Sequence, residues 1–441
     1  MNCFSGLAAS YPSLSRLREH RWALLLGAFI VSACGVATSE SASGAQKKDY
    51  DAQYVVQVDP LDAAVLVSLQ IQQSRHLLRE IRFTSLSERV GDFSANGELT
   101  LEDNSLTWRV PEKGGTLAWK VAVNHQRGQS GYDAWLGPEW GIFRAEDIIP
   151  RARTRALKGS TSNTTLSISL PDGWSAVTEY SGTRDPIRVQ RADRRFDQPT
   201  GWMVVGDIGV RRETIAGIRV AVAGPQGHSV RRLDMLAFMN WVLPELSELL
   251  PDPPDRLTII SAGDPMWRGG LSAPASLFIH SGRPMISENG TSPLLHEVMH
   301  TALPIQAGKD SDWIVEGMAE YYGIELLRAA NAISARRHRI AVAEQANWGR
   351  KAASLCGETS TGASTALAVT VLHALNQEIL DRTSGESNLD DLLRYLIMQG
   401  TTVSLRELRH AATEIIGEPS DVLHSDTLLG CPKMAPDEQS G

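Results

Sequence analysis

Between Tyr50 and Gly217 apolar and polar residues alternate in short runs separated by turn signals. The runs YVVQVDPLDAAVLVSLQIQ, LTWRVP, TLAWKVAVNH and TTLSISLP carry the period-two pattern of half-buried strands. This pattern predicts an antiparallel β-sandwich over 50–217. The period then changes. SVRRLDMLAFMNWVLPELSELLP spaces its apolar residues for one face of a helix and stops at Pro251, and RLTIISAG and ASLFIH read as two short apolar strands. After Ser292 nearly everything is helical. SLRELRHAATEIIG opens on a capping box, Ser404 with Glu407, and ends at Gly417, while SNLDDLLRYLIMQG runs in the same style from Ser387 and Asp390 to Gly400. The expected class is α+β: the sandwich, a mixed α/β segment over 218–328, and a helical C-terminal lobe over 329–441, with a cleft between the last two.

The N-terminal end follows a different pattern. Arg16, Arg18 and Arg21 precede an apolar run from Trp22 to Cys34 that is too short for the roughly 20 residues a membrane helix needs. A charged stretch followed by a short apolar one is the form of a secretory signal, assigned here to 1–33. Val31-Ser32-Ala33-Cys34 resembles a bacterial lipobox, in which Cys34 would carry the lipid anchor. A signal cut after small residues is the alternative. The small, polar stretch 34–49 reads as a flexible tether. Gly35 is not the Asp expected of an inner-membrane retention signal, so the expected location is the bacterial envelope, in the periplasm and anchored to the outer membrane.

Composition adds two constraints. The net charge of −8 argues against a nucleic-acid partner, which needs excess cation along a backbone-binding surface. Of four cysteines, Cys3 and Cys34 fall in the N-terminal segment, leaving Cys356 and Cys431. An exported chain with this pair is expected to bridge it, and two unpaired buried thiols are the alternative.

The candidate chemistry lies in LLHEVMHTALPIQAGKDSDWIVEGMAEYY, residues 294–322. Ser292 suits a helix N-cap, Pro293 the first turn, and Pro304 a stop. His296 and His300 then lie one turn apart on one face, able to share a cation, with Glu297 beside them as general base. A catalytic zinc takes three protein ligands and keeps one open position. Ser311 or Asp312 can cap a second helix that presents Glu316 as the third ligand. Gly317 allows a close helix approach, and Glu320, one turn on, can hold the free ring nitrogen of a ligand histidine. The alternative for Glu316 and Glu320 is a solvated helix face, which the surrounding Trp313, Ile314, Val315, Met318 and Tyr321 disfavour.

HEVMH followed by DWIVEGMAEYY resembles the gluzincin, thermolysin-like metallopeptidases. Within them it is similar to the glycyl-aminopeptidase family and, more distantly, to the alanyl-aminopeptidase family. The resemblance implies a thermolysin-like α/β catalytic domain over 218–328, one zinc per chain on His296, His300 and Glu316, and peptide or protein substrates. An N-terminal β-domain is also shared. Gly269, Gly270 and Leu271 match the start of the family's substrate-binding GGLE, but Ser272 stands where its amine-binding Glu would be. The helical tail is expected without the PDZ domain that the glycyl family commonly carries.

The expected reaction is zinc-dependent peptide hydrolysis, with Glu297 taking a proton from water and passing it to the leaving amine. Related families place a Tyr or His from the helical lobe at the oxyanion, and Tyr395 and His373 are the candidates here. The strand ASLFIH is expected to receive the peptide as an added strand. Two rivals stay open: a catalytically silent envelope lipoprotein that uses the fold as a binding module, and a zinc hydrolase of a non-peptide bond.

Overall fold

The strand-rich first half and the helix-rich second half follow the change of period, and both are seen in a computed structural model that describes residues 48–129, 131–180, 186–189, 195–424 and 428–431. The signal, the tether, Cys3 and Cys34 lie outside the described residues. The architecture is mixed α/β, with several sheets and eight helices among the described residues. None of these helices is long and apolar enough to cross a membrane.

Strands Asp49–Asp59, Ala64–Gln72 and Gly114–Ala122 run side by side in a six-stranded sheet, and Leu78–Thr84 and Ser105–Arg109 in a four-stranded one. Their alternate apolar residues, among them Tyr54, Val67, Leu69, Phe83, Trp108 and Trp119, share one core. One pairing departs from the antiparallel expectation, since Asp49–Asp59 runs parallel to Thr161–Ser169. The long stretch of chain between these strands permits a parallel return, which a tight hairpin does not.

The second half is built on a five-stranded sheet. Its elements are β1 (Ile208–Ile215), β2 (Ile218–Pro225), α1 (Arg232–Leu249), β3 (Arg256–Ala262), β4 (Gly270–Ala273) and β5 (Ser276–His280). The strand order is β1-β2-β3-β5-β4. β1 and β2 form a hairpin through Ala216 and Gly217, both at positive φ, the geometry of a two-residue primed turn. The five-stranded sheet thus takes in Ile208–Ile215, which alternation alone groups with the preceding strands. β5 is hydrogen-bonded on both sides, to β3 and β4. It is therefore not the strand that could receive a peptide; the edge is β4.

Six helices follow: α2 (Pro293–Ala302), α3 (Asp312–Ala329), α4 (Ala335–Gly349), α5 (Ala363–Arg382), α6 (Leu389–Gln399) and α7 (Leu405–Ile416). They share one core with β2, β3 and β5, built on residues such as Val222, Ile259, Leu295, Met299, Trp313, Met318 and Leu372. The capping box of α7 is Ser404 with Glu407, and Gly417 ends the helix in the left-handed region. The box of α6 sits one residue later than expected, on Asn388 and Asp391, because the Asn388 side chain accepts from both Asp390 and Asp391 N–H groups. Cys356 and Cys431 are bridged, fastening the segment after α4 to the end of the described chain.

Candidate metal centre

α2 begins as its sequence dictates. The Ser292 hydroxyl accepts from the Leu295 N–H, and Pro293 occupies the first turn. Leu295, Val298, Met299 and Ala302 face the core, so His296, Glu297 and His300 are left on the cleft side. α3 starts without a side-chain cap: Ser311 Oγ instead accepts from the Leu405 N–H and donates to the Lys309 carbonyl, and Asp312 accepts from the Ser360 N–H. Gly323 is the glycine of α3 that faces α2, where an added Cβ would sit 3.7 Å from His296 N. Gly317 serves a different approach from the one expected, since a Cβ there would stand 2.6 Å from the Ala368 Cβ of α5.

The crossing of α2 and α3 brings the three expected ligands together. His296, His300 and Glu316 have donor atoms all within 4.8 Å of one another. The Nε2 atoms of the histidines are 3.0 Å apart, and Glu316 oxygens lie 3.3 Å from His296 Nε2 and 3.2 Å from His300 Nε2. Two imidazole nitrogens and one carboxylate oxygen converging this closely suit zinc in chemistry and number, with room for a fourth ligand. The ring orientation agrees: His296 Nδ1 lies 3.1 Å from Glu320 Oε2, which turns Nε2 toward the other two residues. Gln345 Nε2 in turn donates to Glu320 Oε1 at 3.1 Å.

The electrostatics reflect this crowding. Burial opposes charge on His296, but Glu316 and Glu320 outweigh it and push its pKa up to about 10. Burial would also raise Glu316, yet the two imidazoles hold it down at about 2. Glu297 is raised, chiefly by burial, with His296 and His300 pulling the other way and the Ser272 N–H facing its carboxylate.

The edge strand passes directly over Glu297. Gly270 has no side chain where a Cβ would lie 2.6 Å from Glu297 Cγ. Gly269 sits beneath the Trp267 ring, with no space for a side chain, and the Leu271 carbonyl accepts from the Trp202 indole at 3.0 Å. The approach to this strand is stitched to the N-terminal half: Trp267 N–H donates to the Tyr132 carbonyl, Tyr132 N–H to the Pro265 carbonyl, and Arg127 lies over the Trp267 ring.

A cleft of about 290 Å³ opens over the cluster. Its walls include Thr291, Glu297, Gln345, Trp348, Thr361 and Thr365. A larger cavity of about 670 Å³, near Glu179 and Arg256, contains none of the candidate ligands. Tyr395 and His373 do not line the cleft. Tyr395 points its hydroxyl at His410 Nε2, 3.4 Å away, and His373 lies two turns along α5 from Ala366, with its Nδ1 buried. The hydroxyls that α5 and the turn before it bring to the cleft are those of Ser360, Thr361 and Thr365, from the run STGAST. That run of small residues is the only signal by which sequence reasoning could have found them.

No model of a protein family matches the sequence, and no curated protein matches it. Solved structures do share the fold. The chain is similar to an aminopeptidase N family protein from Idiomarina loihiensis, with TM-score 0.62 and 14% identity over 88% of this chain and 75% of that one. It is similar to a mutant M1 zinc metallopeptidase from Deinococcus radiodurans, with TM-score 0.58 and 14% identity over 88% and 95% of the two chains. It is also similar to native yeast LTA4 hydrolase, with TM-score 0.54 and 14% identity over 88% and 69%.

Proposed function

We propose that this protein is a zinc-dependent peptidase. The convergence of His296, His300 and Glu316 beside the buried carboxylate of Glu297 carries this reading. The likeness in fold to an M1 zinc metallopeptidase supports it. When bound, one zinc per chain supplies Lewis acidity and lowers the pKa of water.

The chain's own residues do the rest. Glu297, raised by burial yet faced by the Ser272 N–H, takes a proton from the attacking water and returns it to the departing amine nitrogen. Glu320 keeps His296 turned so that Nε2 faces the ligand cluster. The peptide is received along β4, the edge of the sheet that lies against Glu297. Thr361 and Thr365, which line the cleft, supply the hydroxyl donors for the developing oxyanion in place of Tyr395 and His373. Export to the bacterial envelope, with a lipid on Cys34, belongs to the same proposal and rests on the N-terminal sequence.

The test uses wild type and Glu297→Gln, with zinc content measured alongside cleavage of a mixed peptide library. The expected result is one zinc per chain in both and hydrolysis in the wild type alone. Zinc without cleavage in the wild type would turn the reading toward another hydrolase or a silent binding module. No zinc in either would overturn it.

A further inference from the structure

Gln345 is 3% exposed and sits on α4 in a stripe with Ala341 and Gly349, the face that packs toward α3 and α5. The stripe is small on either side of it. A Cβ at Gly349 would stand 2.8 Å from the Leu367 backbone, and Ala341 packs against Gly290. Those close approaches sink α4 far enough for the glutamine to reach α3. A buried amide costs free energy unless it is hydrogen-bonded, and this one donates from Nε2 to Glu320 Oε1 at 3.1 Å. The direction of the bond is fixed by chemistry, because a carboxylate can only accept and the amide must present its nitrogen. The other Glu320 oxygen takes His296 Nδ1 at 3.1 Å. Three helices are thus joined in one line: amide on α4, carboxylate on α3, imidazole on α2.

We propose that Gln345 is a positioning residue for the metal centre, holding Glu320 in the one orientation that keeps His296 Nε2 turned toward Glu316 and His300. A neutral donor suits the task. It fixes the carboxylate without adding a positive charge that would oppose a cation, as Lys or Arg would there. This inference rests on reading His296, His300 and Glu316 as a zinc site.

The test is zinc affinity by competition with a chromophoric chelator, together with the visible absorption of the cobalt-substituted protein. Wild type, Gln345→Met, Gln345→Glu, Glu320→Gln, Glu320→Gln with Gln345→Met, and His300→Ala are compared, each with the melting temperature of its metal-free form. Gln345→Met keeps the length and removes the donor. Gln345→Glu replaces the donor with an acceptor and serves if the methionine variant does not fold. Both are expected to weaken zinc by about 10-fold, the lower end of what outer partners of ligand histidines contribute. Both should also shift the cobalt spectrum, and the metal-free melting temperature of Gln345→Met should hold. In the Glu320→Gln background, Gln345→Met should change affinity less than about twofold, since its route of action is gone. Unchanged affinity and spectrum in both Gln345 variants, or an equal loss with and without Glu320, would overturn the proposal while His300→Ala still loses zinc. A wild type that binds no zinc, or a His300→Ala that binds it as tightly, would overturn the zinc reading and this inference with it.

Discussion

Gly270 and Glu297 occupy space that a single methyl group would close: a Cβ at Gly270 would stand 2.6 Å from Glu297 Cγ and 2.8 Å from Oε1. The edge strand and the proposed base are fitted to each other, and the Ser272 N–H two residues on faces the same carboxylate. Gly270→Ala must therefore move Glu297 or the strand. A displacement near 1 Å at a reacting group costs on the order of 100-fold in rate. Peptide hydrolysis by Gly270→Ala is expected to fall by about that factor while zinc content stays at the wild-type level, because the three atoms nearest the new methyl all belong to Glu297. Retained activity in a zinc-loaded Gly270→Ala would show that the contact does not position the base.

Gly317 lies beside Glu316, where α3 crosses α5. In an isolated helix, replacing glycine by alanine gains up to about 1 kcal/mol. Here the new methyl would meet the Ala368 Cβ at 2.6 Å and Leu372 Cδ1 at 3.2 Å. Overpacking of a close helix crossing costs about 1–3 kcal/mol, so the steric effect wins. Gly317→Ala is expected to lower stability by about 1 kcal/mol in chemical denaturation and to weaken zinc, since Glu316 moves with its neighbour. A variant as stable as wild type, with unchanged zinc affinity, would mean that the two helices part without disturbing the site.

The cluster of His296, His300 and Glu316 could be read from the sequence because its geometry is local. His296 and His300 are one helical turn apart, and Glu316 and Glu320 another, so the 3.6-residue period alone puts each pair on one face. Ser292, Pro293 and the Ser404–Glu407 box mark helix ends for the same local reason. What failed depended on how elements meet. Tyr395 and His373 lie on helices that the sequence identifies, but periodicity does not say what a face will meet. The edge strand was hidden because Gly270–Ala273 is short and glycine-led, whereas the apolar Ser276–His280 has the look of a strand and is interior. Gln345 offers no local signal at all. One glutamine on a helix becomes informative only when α3 places Glu320 beside it.

The protonation of the cluster gives the metal-free protein a distinctive pH response. His296 has its pKa raised from 6.5 to about 10, the carboxylates of Glu316 and Glu320 outweighing burial. A group raised in the folded state stabilises fully below its unfolded value, and that contribution is lost as pH rises through the folded value. For His296 it is complete below pH 6.5 and gone above about 10. Glu316 has the opposite sign. Its pKa falls from 4.5 to about 2, so its contribution is present above pH 4.5 and is lost as pH drops toward 2. After chelation of metal, wild type is expected to melt above Glu316→Gln by the widest margin between pH 4.5 and 6.5, the window set by these shifts. The margin should narrow as pH is raised toward about 10 and again in strong acid. Melting temperatures of both chains across that range decide the matter. A margin that stays constant into alkaline solution would mean that His296 is not charged against Glu316 in the folded, metal-free protein.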